Sequence, residues 1–117
     1  MARGIATVSE LSKKSCVPCR EGATALKGKE LHDYFSQIEG WTLVNEHELT
    51  KTYKFKDFAQ ALAFVNRIGK LADEEDHHPD IQLSWGKARV ELWTHKVDGL
   101  TENDFIFAAK VDALPRP

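Results

Sequence analysis

From Glu30 onward the apolar residues fall into regular spacings. Leu31, Tyr34, Phe35 and Ile38 recur at i, i+3, i+4 and i+7, which gathers them on one face of a helix, and Gly40 stands where a C-terminal cap belongs. Two β-rich runs follow, Trp41 to Glu46 and Leu49 to Phe55, and the short His47-Glu48 connection suits an antiparallel hairpin. Asp57 with Gln60 makes a capping-box pattern that opens a second helix, whose stripe of Phe58, Ala61, Leu62, Val65, Ile68 and Ala72 is predicted to face the core. Ile81, Leu83 and Trp85 then alternate with polar residues, Gly86-Lys87 offers a two-residue turn with glycine first, and Val90 and Leu92 resume the alternation, which predicts a second hairpin. The last helix is predicted over Thr101 to Leu114, with Thr101 as N-cap, Asp104 three residues on, and Leu100 placed to staple against Phe105.

Hairpins joined by helices predict an α+β fold: a four-stranded antiparallel sheet with three helices packed on one face, in the order α-β-β-α-β-β-α. Ahead of it, residues 1–29 hold Gly4, Pro18, Gly22 and Gly28, mixed charges and no sustained periodicity. They read as an extended or loosely attached N-terminal arm, and residues 30–117 read as a single domain. A chain of 117 residues is about one domain and can bury a core without staples. Its 42% hydrophobic and 29% charged residues are ordinary for a soluble globular protein, and a net charge of -2 with scattered Lys and Arg gives no basic footprint for nucleic acid. No stretch approaches the ~18 consecutive apolar residues of a membrane span, and the first residues lack the apolar core of a signal peptide, so a cytoplasmic location is expected.

Against this background one run is unusual. Asp73-Glu74-Glu75-Asp76-His77-His78-Pro79 sets two adjacent imidazoles beside four carboxylates and stops at a proline. Acids at a helix C-terminus oppose the macrodipole, each by a few tenths to ~1 kcal/mol, which calls for a compensating reason. A third imidazole, His95, comes after the second hairpin. With Trp85 and Ala88 flanking the turn, facing positions sum to 173, so Leu83 faces Val90, Ile81 faces Leu92, and His78 is carried towards His95. Pro79 can end this ladder early, yet the three histidines should gather at one end of the sheet. Imidazole, with an ordinary pKa of ~6.5, can give or take a proton near neutrality and is also a common metal ligand, so the cluster points to proton transfer or to metal binding. Asp104 is favoured at its place in a capped helix for that reason alone, and Trp85 and Trp93 read as packing residues.

Asp73, His77-His78-Pro79, the aromatic Trp85, His95 and Asp104, in that order and spacing, resemble the pterin-4a-carbinolamine dehydratases, and so does the Phe55-Lys56-Asp57-Phe58 opening of the second helix. The resemblance covers Glu30 to Leu114. It implies a hydro-lyase that removes water from 4a-hydroxytetrahydropterin, the product of aromatic amino-acid hydroxylases, to give quinonoid dihydropterin in tetrahydropterin recycling, with no metal or organic cofactor. By the matching positions it places Asp76, His77 and His78 on one side of the pterin and Trp93, Thr94 and His95 on the other. Asp73 stands where the family carries a glutamate, and Trp93 is bulkier than the family's residue. The implied catalytic set is His77, His78, His95, Asp73 and Asp104: His77 and His95 as the acid–base pair, His78 holding the pterin, and the two aspartates orienting the imidazoles. The resemblance also implies a homo-oligomer, dimers pairing into tetramers, which would protect the edges and outer face of such a sheet.

Three rival functions compete with this reading. A zinc site could recruit Cys16, Cys19, His77 and His78, but adjacent histidines project in diverging directions and the cysteines lie on the arm. A Cys16-Val17-Pro18-Cys19 redox couple lacks the preceding strand that such motifs follow. Relatives of the resembled family also act as dimerisation cofactors of a homeodomain transcription factor, and some bacterial members are tied to molybdopterin metabolism, so a non-catalytic interaction protein and a different pterin are the remaining alternatives.

Overall fold

The computed structural model describes residues 10–18 and 22–117. Helix α1 (Gly28–Phe35) leads into strands β1 (Thr42–Val44) and β2 (Glu48–Lys54), helix α2 (Phe58–Glu75), strands β3 (Asp80–Ser84) and β4 (Lys87–Leu92), a 3-10 turn (His95–Val97), and helix α3 (Glu102–Ala113). The expected α-β-β-α-β-β-α order and α+β class hold. All strand pairs are antiparallel, in the order β1-β2-β4-β3, so the two hairpins join through β2 and β4.

Alternation decides which face the helices cover. Leu49 and Tyr53 of β2 and Ala88, Val90 and Leu92 of β4 are buried, while their neighbours Thr52, Lys54, Lys87 and Arg89 are exposed. Against this inner face α2 lays Ala61, Phe64, Ile68 and Ala72. Phe58 and Leu62, assigned to that stripe by spacing, are exposed instead. Positions 61, 65, 68 and 72 fit a stripe that leans towards either 58 and 62 or 64 and 71, and Phe64 decides it by packing its ring on Tyr53 and Phe55 at 4.9 and 5.2 Å. Asp57 caps the helix by accepting the Gln60 N–H at 2.9 Å.

Both hairpin turns differ from expectation. The first connection is Asn45-Glu46-His47, with Asn45 and Glu46 in the left-handed region, and β2 starts at Glu48. In the second, Leu83 faces Ala88 and Ile81 faces Val90, so the turn is Trp85-Gly86 and the register lies two residues from the expected one. A two-residue slip keeps every side chain on its face, so alternation cannot tell the two registers apart. The observed one lets the Gly86 carbonyl accept the Phe55 N–H at 2.8 Å, extending the β2–β4 ladder. Trp85 thereby sits at the turn, 69% exposed, and is not the packing residue it resembled.

Helix α3 is the centre of the domain, buried on nearly every side from Asn103 to Ala109 and at Val111. Phe105 stacks on Tyr34 of α1 at 5.5 Å, and near the far end Asp112 accepts from Trp41 Nε1, Lys51 Nζ and Tyr53 Oη at 2.6–2.9 Å. Burial and the adjacent Asp112 push the Tyr53 phenol well above its ordinary value, so it stays a donor. The N-terminal segment completes the enclosure. Residues 10–12 are helical, Leu11 is buried in the core, and the Ser12 carbonyl accepts Lys110 Nζ at 2.8 Å. This described part of the stretch read as an arm is thus fastened to the body, not loose.

Candidate active site

The site is built where α2 ends. Asp76 adopts a left-handed conformation, φ 51° and ψ 44°, and the His77 N–H returns to the Ala72 carbonyl at 3.2 Å, the backbone pattern of a Schellman cap. Glycine is the usual residue at such a position, because a Cβ there costs roughly 1–2 kcal/mol. The cap fixes His77 as the first residue beyond the turn, and its imidazole reaches α3, where Nε2 lies 2.8 Å from Asp104 Oδ1.

Asp104 is the hub. It is fully buried, and its second oxygen accepts Thr94 Oγ1–H at 2.7 Å and the Thr101 N–H at 2.9 Å. Thr94 and Thr101 hydroxyls are also 3.1 Å apart. The acid that sequence places at a helix start by capping preference is therefore both a cap and the link between the end of α2 and the exit of β4. A carboxylate only accepts, so its three partners are donors and His77 carries a proton on Nε2, while the ring's other nitrogen, Nδ1, takes no part in this bond. The register explains the convergence: β3 begins at Asp80 opposite Glu91, so the residues just before β3 and those just after β4 lie at the same end of the sheet.

The other candidates form two satellites. His78 Nε2 lies 3.0 Å from Asp73 Oδ1, one turn back on α2, and both side chains are mostly exposed, so the pair contributes no more than ~1 kcal/mol. His95 opens the 3-10 turn and stacks on Trp93, ring centroids 3.8 Å apart. Trp93 therefore packs as expected, against the core, with two imidazoles also on its ring. Asp76 is exposed beside His77. Of the expected residues, the structure joins His77, Thr94 and Asp104 directly, pairs His78 with Asp73, and seats His95 on Trp93.

His47 was not among the expected residues. Its ring packs on Trp93 at 4.5 Å, Nε2 lies 2.9 Å from Asp98 Oδ1 and Nδ1 3.0 Å from Glu48 Oε1, so it fastens the first hairpin to the turn that carries His95. Asp98 and then Glu48 hold its pKa above the ordinary value. Glu48 is itself lowered, first by a bond from Glu91 and then by His47, while the same contact raises Glu91. The signal for His47 lies in the pairing of β2 with β4, Leu49 opposite Leu92, which local periodicity does not contain.

Among the described residues, no group of three or more His, Cys, Asp or Glu is arranged to hold a metal ion. Cys16 donates its thiol to the Asn103 carbonyl at 3.6 Å, and Cys19, the other half of the proposed zinc or redox pair, lies outside the described residues.

A helical layer on an antiparallel sheet, with a buried carboxylate bonded to a histidine beyond the end of α2, defines the α+β domain. The family model for pterin 4 alpha carbinolamine dehydratase matches residues 24–114, and the chain belongs to that family, one of hydro-lyase enzymes. A provisionally named pterin-4-alpha-carbinolamine dehydratase of Rubrobacter xylanophilus is 54% identical over 107 residues, covering 92% of this chain and 100% of the relative. One of Alkaliphilus metalliredigens is 50% identical over 106 residues, covering 90% and 96%. Among solved structures, a transcriptional coactivator/pterin dehydratase from Brucella melitensis superposes with a TM-score of 0.71 at 32% identity, covering 77% of this chain and 97% of that one. A pterin dehydratase-like protein identified as a RuBisCO assembly factor in the alpha-carboxysome gives 0.55 at 27% identity, covering 64% and 88%.

Proposed function

We propose that this chain dehydrates a pterin-4a-carbinolamine by histidine acid–base catalysis, and the observation that carries the reading is the His77–Asp104–Thr94 network, held between the end of α2 and the exit of β4. In the reaction the C4a–O bond breaks, the departing hydroxyl takes a proton and leaves as water, and N5 loses a proton as the C4a–N5 double bond forms. One imidazole supplies the first proton and another accepts the second, so no redox change or additional group is called on. His77 and His95 take these roles, with Asp104 holding His77 in one tautomer and Trp93 backing His95. His78, steadied by Asp73, holds the pterin by hydrogen bond, and Asp76 and Thr94 line the same site. Residues 30–117 form the domain that does this work.

The exposed Phe58 and Leu62 on α2, and an edge of β3 that pairs with no strand among the described residues, support a homo-oligomer, most simply a tetramer of paired dimers. No helix among the described residues is long and apolar enough to cross a membrane, and a cytoplasmic location fits the reading. The likeness to the assembly factor favours a second reading, a non-catalytic interaction protein.

Binding separates the two. Titration with a stable dihydropterin should shift the NMR signals of His77, His78, Thr94 and His95 together. Binding that moves none of them, or no binding at millimolar ligand, would remove this site from pterin chemistry.

A further inference from the structure

Residues 10–18 precede the stretch matched by the family model, and no step of the dehydration calls on them. Yet they bond to the same two elements that carry His77 and Asp104. Val17 pairs twice with one side chain: its N–H donates to Asn103 Oδ1 at 3.0 Å, and Asn103 Nδ2 donates to its carbonyl at 2.5 Å. The Cys16 N–H donates to Glu75 Oε1 at 2.8 Å, and its thiol donates to the Asn103 carbonyl. Glu75 is the last residue of α2, two before His77, and Asn103 immediately precedes Asp104. The segment thus ties the end of α2 to the start of α3 beside the bond that joins His77 to Asp104.

The tie is set in a partly buried environment where such bonds count. Asn103 is buried, Glu75 is partly buried and faces Lys110 at 3.6 Å, and Leu11 anchors the segment in the core. Burial, reinforced by Glu75, pushes the Cys16 thiol up to about 12, so it remains a neutral S–H donor. The bracing also answers a local weakness. His77 follows a strained left-handed residue at the end of a helix with four consecutive acids, and one of those acids, Glu75, is compensated by the Cys16 N–H and Lys110.

We propose that residues 10–18 are a positioning brace for the proton-transfer site, acting through Asn103 and Glu75 to hold the start of α3 against the end of α2, so that Asp104 stays in bonding reach of His77. The inference rests on the reading of His77 as an acid–base group. Displacements near 1 Å at such a site can cost on the order of 10²-fold in rate.

The test compares Asn103→Ala, Glu75→Ala and Glu75→Gln in the full chain, measuring kcat and KM for freshly generated carbinolamine and hydrogen exchange of the His77 Nε2 proton by NMR. Asn103→Ala and Glu75→Ala should lower kcat by about ten- to a hundredfold, leave KM within about twofold, and speed exchange at His77, while Glu75→Gln, which still accepts the Cys16 N–H, should stay near the native rate. Val17→Pro removes the N–H donated to Asn103 without altering the helices, and it replaces Asn103→Ala if that variant does not fold. Native kcat and native His77 exchange, in variants where the amide whose acceptor was removed (Val17 in Asn103→Ala, Cys16 in Glu75→Ala) has lost protection, or in a folded Val17→Pro chain, would overturn the brace. A His77→Ala chain with full turnover would instead overturn the site itself, whereas lost turnover there beside intact brace variants would sink the brace alone.

Discussion

Replacing Asp104 with asparagine strikes the site at its hub. All three native partners are donors: His77 Nε2 at 2.8 Å, Thr94 Oγ1 at 2.7 Å and the Thr101 N–H at 2.9 Å. Asparagine keeps the shape but exchanges one acceptor for a donor. Two donors, Thr94 and Thr101, hold its oxygen on their side, so its NH2 turns to His77. The imidazole must then present a lone pair on Nε2 and carry its proton on Nδ1, the reverse of the native tautomer. Hydrogen bonds to a charged group contribute ~1.5–3 kcal/mol and neutral ones ~0.5–1.5, so three such changes cost about 3 kcal/mol, within the ~5–15 kcal/mol of an ordinary domain. The variant should fold with a lower urea midpoint, while turnover falls by about 10²- to 10⁴-fold because Nδ1, the nitrogen left to the substrate, then carries a proton in place of its native lone pair. Nitrogen-15 spectra of His77 read the tautomer directly. An unchanged tautomer, with turnover within about fivefold of native, would refute this account of Asp104.

Other consequences are simpler to check. His78→Ala should chiefly weaken pterin affinity, seen by calorimetry, and unchanged affinity with lost turnover would exchange its role with that of His77. Asp76→Gly relieves a left-handed Cβ and should raise stability by about 1 kcal/mol in urea melts while weakening pterin binding; a destabilised variant would mean that the Asp76 side chain holds the cap. Because Asp98 and Glu48 raise His47 above its ordinary 6.5, the stability it adds is fully present below that value and is lost as pH rises through the raised one. Thermal midpoints of the native chain and His47→Gln should accordingly converge as pH climbs past 6.5, and a gap that widens instead would contradict the assignment. Light scattering should give an oligomer at micromolar concentration that Leu62→Glu dissociates, and a native monomer would exclude the exposed α2 face as an interface.

How much of this was legible in the chain depended on the range of the interaction. Local signals sufficed for Asp57 as a cap, for the alternation of Val90 and Leu92, and for the order of elements. The second hairpin was legible to its faces but not its register, since pairings two residues apart place the same side chains inward. The convergence of His77 with the end of β4 survived that slip for the same reason. Asp104 carried only a capping signal of its own, and its bonds to His77 and Thr94 arise from packing between elements that periodicity does not relate. His47 and the segment around Cys16 and Val17 were opaque on the same ground: each bonds to a residue more than fifty positions away, Asp98 in one case and Glu75 and Asn103 in the other. Their own surroundings in sequence are turn-like and aperiodic, so nothing local marks them.

The central claim is that an imidazole held by Asp104 moves protons during loss of water from a pterin carbinolamine. Its most direct measurement mixes the protein with freshly generated 4a-hydroxytetrahydropterin and follows formation of the quinonoid dihydropterin, for the native chain and for His77→Ala. The native chain should accelerate the step well beyond the uncatalysed rate, and His77→Ala should remove on the order of 10²-fold of that acceleration while remaining folded. A native chain that gives no acceleration, or a His77→Ala chain as fast as native, would contradict the account.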